Sequence, residues 1–362
     1  MTTPAELYKN AIDLNRFSNS VARRIVRTYN NLIVDAMQRL ASVGADPTPT
    51  QAARLQAILA QLKGSLDQWA GTATALSVEE LQGLVELQTR FVTNVLNGEL
   101  PDDDLLLQVR SVQISPQFAQ AVATIDPTTY NVVTLSDDLG AAVTGTPRPF
   151  RLEIGDGTTI TLPNGATLAA SYRRLAGKQA EVFTKEVQNG LLLGESSDKI
   201  ARRLRRQLTA VPNNQIRAMV RTSVNQVANA ASQAVYSQNQ EITNRYRYIA
   251  TLDSRTSAIC RALDGRTFKY NEGPTPPQHF NCRSTTVPIV DYEGLGIPPP
   301  KPGKRRSSGG LVPANQTYGQ WLFDQSKEVK ADVLGAKQVP YFNMLSEKYT
   351  PSVAIRKFVS AD

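Results

Sequence analysis

Histidine is almost missing from this chain, with one in 362 residues, beside two cysteines and an aromatic share of 7%. A single imidazole excludes zinc-hydrolase motifs of the HExxH kind, which need two. It also weakens any acid/base enzyme reading, because histidine is the commonest such catalyst. No run of 18 apolar residues occurs, so no transmembrane helix is expected. The opening MTTPAELYKNAIDL lacks the apolar stretch of a signal peptide, which points to production in a reducing cytoplasm. Two cysteines do not make a disulfide scaffold. Neither GxGxxG nor GxxxxGK is present, so nothing signals a dinucleotide or nucleoside triphosphate. No period of 20–50 residues repeats.

What the chain does have is charge, unevenly placed. The net charge is +8, yet residues 1–170 hold 12 Lys and Arg against 17 Asp and Glu, while residues 171–362 hold 28 against 15. The second half therefore suits an acidic protein surface or nucleic acid. Apolar residues Leu14, Phe17, Val21, Ile25, Tyr29, Leu32, Ile33, Ala36 and Leu40 recur at helical steps and predict one helix over 5–43. Two more are expected at 50–70 and 77–97, the latter opened by Ser77 with Glu80 as a capping box and closed at Asn97-Gly98. Short polar turns between them suggest an antiparallel bundle. The run Asp102–Asp104 reads as a solvated loop. FRLEIGDGTTITLPNG, with Gly155-Asp156-Gly157 at its centre, reads as a β-hairpin.

Further helices are expected at about 168–190, ending at Asn189-Gly190, and as a pair over 195–236, with Ile200, Leu204 and Leu208 facing inward. YRYIATLD at 246–253 reads as a strand. The stretch 291–313, rich in proline, glycine and basic residues, reads as a linker, and a helix follows at 315–335. The expected fold is mainly α with a small α+β core. Its parts are an N-terminal helical domain (1–115), a β-containing segment (116–170), an α+β core (171–290), the linker (291–313) and a C-terminal arm (314–362). A helix on such a linker docks on its own body or on a neighbouring subunit.

The chemistry-bearing residues cluster. Cys260, His279 and Cys282, all the cysteine and histidine of the chain, lie within 23 residues. The spacing suits zinc, but a structural zinc site needs four ligands, and the fourth would be Asp253, Asp264, a water or another chain. A Cys260–Cys282 disulfide would stabilise by about 3 kcal/mol, and plain burial is a third reading. A Cys/His nucleophile pair lacks the flanking residues of known cysteine proteases. Arg202, Arg203, Arg205 and Arg206, with Arg217, Arg221 and the Lys304-Arg305-Arg306 run, form candidate basic patches. No aromatics interleave with them, so base stacking has no support and protein partners are favoured over nucleic acid.

The order of residues over 217–287 resembles a family. Arg221-Thr222-Ser223, Asn225, Asn229 and Ala230-Ala231 are followed by Asp253, Arg255-Thr256, Cys260, Asp264-Gly265 and Phe268, then by Pro277-Gln278-His279-Phe280-Asn281-Cys282-Arg283. This is similar to the head-morphogenesis domain of tailed phages, the phage Mu F-like minor head proteins. Ser223 stands where glutamate is usual and Ser284 where a final cysteine is usual. The tail resembles the family too, at Trp321, Gln325, Leu334-Gly335 and Phe342. The resemblance implies a non-enzymatic virion component, present in several copies around the portal protein, acting in procapsid assembly and in DNA packaging or release. Its location would be the virion head, after assembly in the host cytoplasm. Partners would be the portal, the major capsid protein and packaged double-stranded DNA, with no membrane. Asp253, Arg255, Thr256, Cys260, Asp264, Gly265, His279, Asn281, Cys282 and Arg283 would form a structural clip, with zinc as the possible cofactor at Cys260, His279 and Cys282. Trp321, Gln325, Leu334 and Gly335 would dock the arm. Similar domains occur fused to toxin modules such as ADP-ribosyltransferases, so a cysteine- or metal-dependent hydrolase or toxin effector is the alternative, and a DNA-binding virion protein a further one. No second module of that kind is visible in the sequence.

Overall fold

The computed structural model describes residues 3–43, 49–98, 112–114, 150–152, 162–270, 272–301 and 303–358. The first helix, α1 (Thr3–Ala41), follows its apolar stripe: Ile25, Tyr29, Ile33 and Leu40 are fully buried. The second element departs from expectation. Instead of two helices there is one, α2 (Pro49–Asn97), running through the foreseen break at 71–76. Ser77 is not a cap. It is buried inside the helix, donating to the Ala73 carbonyl (2.7 Å) and meeting the Tyr172 hydroxyl (3.1 Å). Gly71, Thr72 and Thr74 are weak helix formers, but Trp69, Ala70, Ala73 and Leu81 keep one face buried across the stretch, and that packing overrides local propensity. Trp69 lies edge-on to Tyr29 (5.1 Å) and Tyr172 (5.7 Å), joining three helices.

Helix α3 (Leu168–Leu192) runs beyond Gly190, which is no helix stop. A Cβ there would meet Ile200 at 2.4 Å, so this glycine lets the next helix approach. That helix, α4 (Ser197–Gln207), is capped by Ser196 and buries Ile200, Leu204 and, just past its end, Leu208, as expected. Helix α5 (Ala210–Gln238) follows, and α1 to α5 share one apolar cluster that continues into Tyr246 and Val287 of a small sheet. In this region the short strands β1 (Val112–Ile114) and β2 (Phe150–Leu152) pair in parallel. The hairpin expected around Gly155-Asp156-Gly157 and the run Asp102–Asp104 fall outside the described residues.

The small sheet is antiparallel, in the order β4-β3-β5: β3 (Thr243–Ile249) lies between β4 (Thr267–Lys269) and β5 (Thr285–Val290). A short helix, α6 (Ala258–Leu263), follows β3. The fold is therefore mainly α with a small α+β core, as expected.

The stretch read as a linker is partly regular. Strands β6 (Lys304–Ser307) and β7 (Gly310–Pro313) form a tight hairpin, and the Ser308 amide bonds the Leu252 carbonyl (2.9 Å). The helix expected at 315–335 is two, α7 (Tyr318–Phe323) and α8 (Lys327–Leu334), broken at Asp324–Ser326, where Ser326 caps α8. Helices α9 (Val339–Lys348) and α10 (Pro351–Lys357) complete the arm. These helices pack with Leu252 into a second apolar cluster, which docks the arm on its own chain. The packing is close: a Cβ on Gly319 would lie 2.2 Å from the Pro351 carbonyl.

A proline tests the continuity of α2. Ser77→Pro removes an interior amide donor and is expected to cost about 3 kcal/mol or more, seen as a lower midpoint in chemical denaturation. An unchanged midpoint would mean a helix start at that position.

Candidate functional site

Helix α5 is the scaffold of the site, through polar residues on its inner face. Thr222 donates to the Ala218 carbonyl (2.7 Å) and accepts from the Asn281 amide (3.0 Å). Asn225 donates to the Ser284 carbonyl (2.9 Å), Asn229 to the Asn225 carbonyl (2.8 Å), and Gln233 to the Thr286 hydroxyl (2.9 Å). A stretch with little regular structure, 270–284, is thus held by side chains spaced along one helix. Asn281 sits at φ 58°, a left-handed conformation that asparagine tolerates better than most. Ser223 is buried and bonds only its own helix, at the Met219 carbonyl (3.0 Å).

Cys260, His279 and Cys282 come together, with their donor atoms within 4.8 Å of one another. The sulfurs lie 3.7 Å apart, and the Cys260 sulfur is 3.3 Å from His279 Nε2. His279 Nδ1 lies 2.8 Å from the Phe280 carbonyl, which can only accept. Nδ1 therefore carries a proton, and in the neutral ring Nε2 keeps a lone pair toward the sulfurs. The Tyr248 hydroxyl is 3.2 Å from the Cys260 sulfur. The hydrogen bond between the sulfurs drives the two thiols apart, Cys282 below the ordinary thiol range and Cys260 above it. The contact with Cys260 raises His279. A disulfide needs about 2.05 Å between sulfurs, so the pair is not bonded, and both thiols are free. Exposures of 1% and 3% leave the sulfurs no open approach for a substrate. The two aspartates weighed as a fourth ligand are engaged elsewhere.

Asp264 is one of these. Its carboxylate accepts from the Ala250 amide (2.6 Å), the Tyr318 amide (2.6 Å) and two nitrogens of Arg305 (3.1 and 3.2 Å). Arg305 also bonds the Gln316 carbonyl (3.0 Å) and the Ala250 carbonyl. The pair is buried, with side-chain exposures of 3% and 0%. Arg305 is therefore a core residue and not part of a basic patch; of the Lys304-Arg305-Arg306 run only Lys304 and Arg306 face solvent. The next residue, Gly265, has φ 77°, and a Cβ there would lie 2.8 Å from Thr317, so glycine is required on both counts.

Asp253 is the other. Arg283 clasps it at both oxygens (2.5 and 2.8 Å), and the Arg255 amide and Thr256 hydroxyl add bonds of 3.1 Å each. Burial alone would raise this carboxyl; the Arg283 bonds and charge outweigh it and hold it below the usual range. Asp253, Arg283 and Arg255 line a cavity of about 320 Å³ together with Asn15 of α1 and Arg306. One turn along α1, Asn19 accepts two bonds from Arg221 (2.7 and 3.0 Å). Burial, then the charges of Arg217, Arg255 and Arg283, lower the Arg221 guanidinium. Asp253, Arg255 and Arg283 were grouped from the sequence, but not with Asn15, Asn19, Arg221 and Arg306, because the members come from five separate stretches of chain.

The arginines of α4 divide. Arg203 is an internal tie to Glu186 (2.8 Å) and Glu195, and Arg202 pairs with Asp198 (3.0 Å). Arg205 and Arg206 face solvent. In the arm, Trp321 is buried, Gln325 donates back to the Trp321 carbonyl (2.9 Å), Leu334 is partly buried, and Gly335 ends α8 at φ 85°.

Two measurements check these electrostatics. Asp264→Ala leaves Arg305 buried without its anion and is expected to cost about 3–5 kcal/mol, whereas Asp264→Leu with Arg305→Met recovers most of it. A small loss in the single variant would show that the pair is dispensable. Because the folded Asp253 carboxyl is depressed, its contribution is complete above the unfolded value near ~4 and is lost as pH falls through the folded one. The stability gap between the wild type and Asp253→Asn should therefore close on acidification, and a gap constant with pH would refute that role.

No curated protein and no solved structure matches the chain significantly. A family model does, over residues 181–287, which run from α3 through the Cys260–Cys282 cluster into β5. The arm residues lie outside the match. The matched family is described as Phage Mu protein F like protein, and residues 181–287 are similar to it.

Proposed function

We propose that the protein is a non-enzymatic minor component of a tailed-phage head, assembling against the portal. One observation carries this reading: the motif residues Thr222, Asn225, Cys260, Asp264 and Cys282 are spent inside the domain. Thr222, Asn225, Asp264 and the buried sulfurs bond protein groups and present nothing to a substrate. The hydrolase or toxin-effector alternative would need at least one of them open to solvent. Contacts with the portal, and with the major capsid protein, then fall to surfaces outside the motif core.

The guanidinium groups around the α1 cavity suit an acidic protein surface. Arg255 and Arg306 are exposed at its rim, and only one carboxylate, Asp253, lines it. Arg205 and Arg206 form a separate exposed pair that could meet packaged DNA. No transmembrane-type helix is present among the described residues.

Co-expression with the portal is the test. Co-purification is expected, and Arg255→Glu with Arg306→Glu should abolish it while Arg205→Glu with Arg206→Glu does not. Wild-type protein that ignores portal at micromolar concentration would sink the assignment. Steeply salt-dependent binding of duplex DNA, lost in the α4 variant, would favour the DNA-binding reading.

A further inference from the structure

Zinc bound by two thiolates and one imidazole fixes the spacing of its donors. With Zn–S near 2.3 Å and Zn–N near 2.0 Å, tetrahedral geometry places two sulfurs about 3.8 Å apart and a sulfur and nitrogen about 3.5 Å apart. The protein holds its sulfurs at 3.7 Å and Cys260 Sγ to His279 Nε2 at 3.3 Å. These two separations match a shared ion and are too long for an S–S bond, and all three donors lie within 4.8 Å of one another, so binding requires at most a small inward shift of the Cys282–His279 pair.

The surroundings also fit. Ligating histidines usually donate their other ring nitrogen to a carbonyl or carboxylate, which fixes tautomer and ring direction; the Phe280 carbonyl does this here. Hydroxyl groups of Tyr248 and Ser284 lie against the sulfurs, where they can donate to thiolate. The segment that the ion would brace, between α6 and β5, contains only three residues of strand. Two soft sulfurs and an imidazole select zinc over magnesium or calcium.

We propose that Cys260 Sγ, His279 Nε2 and Cys282 Sγ bind one zinc ion as a structural brace, with water in the fourth position. Asp253 and Asp264 are excluded from that position by their arginine partners. The brace joins α6 to the turn before β5, beside Asn281 and Ser284, which α5 holds.

Protein purified without chelator should carry one zinc per chain through gel filtration. Cobalt(II) added to metal-free wild type should give the thiolate-to-cobalt absorption of a tetrahedral site. Cys260→Ser, Cys282→Ser and His279→Gln should each lose that band. Ser284→Cys, which adds a sulfur beside Cys282, should tighten binding about tenfold, an effect of the size that groups around a metal site exert. Wild-type protein with two titratable thiols and no cobalt band would overturn the proposal, as would a mass two hydrogens lighter from a disulfide. Neither result depends on a variant folding, nor on any contact with the portal.

Discussion

The buried ion pair of Asp264 and Arg305 is the constraint on which the second half of the chain depends. Taking two charges out of water costs several kcal/mol for each, and mutual attraction compensates only if the remaining donors and acceptors are filled. Here they are: the carboxylate accepts from two backbone amides besides the guanidinium, and the guanidinium also serves two carbonyls. Those backbone partners are Ala250, just past β3, and Gln316 and Tyr318, where the segment after β7 enters α7. Once the pair forms, the hairpin β6–β7 must lie against the sheet, and α7 must start beside Asp264. The Tyr318 amide is the first of α7, and the orphan donors there favour an anion. The arm is thus part of the body because a single carboxylate needs it.

The same economy governs the loop between α6 and β5. A long irregular stretch carries backbone groups that must find partners, and a small sheet cannot supply them. Helix α5 does, with Thr222 and Asn225 on the loop backbone, and Gln233 further along reaches the Thr286 hydroxyl of β5. Its small neighbours Ala228 and Ala231 are buried in the helical core. Asp253 and Arg283 close the near side. Residues that look like chemistry in a sequence, such as Asp, Asn, His, Cys and Arg in a short span, become a set of fasteners in the fold.

How much of this was legible follows from where each signal lay. The stripe from Leu14 to Leu40 is local and periodic, and it gave α1 within a few residues. The inward face of α4 was legible for the same reason. Helix α2 was misread because Gly71, Thr72 and Ser77 carry the local marks of a stop and a start, while the buried face that overrides them is made by Tyr29 and Tyr172 from other helices. The linker was misread because KPGKRRSSGG has linker composition; that Arg305 faces inward depends on Asp264, 41 residues earlier. The Cys260–His279–Cys282 cluster was visible as a spacing, but the tautomer of His279 and the engagement of Asp253 and Asp264 exist only in three dimensions.

Charge placement bears on which partner the protein meets. A duplex presents phosphates in extended rows, and proteins that follow it spread lysine and arginine along a face. The guanidinium groups of Arg255, Arg283 and Arg306 instead surround one cavity, with Arg221 pressed beside them. Like charges held this close repel, and a compact anion entering among them offsets that repulsion locally. Arginine's planar fork recognises a carboxylate in a defined orientation, so an acidic side chain on a protein surface is the natural complement. The wall opposite the motif residues is α1, through Asn15, with Arg221 anchored on Asn19 one turn further along. The N-terminal helix thereby lines the same cavity as Arg255 and Arg283 of the matched segment, residues 181–287.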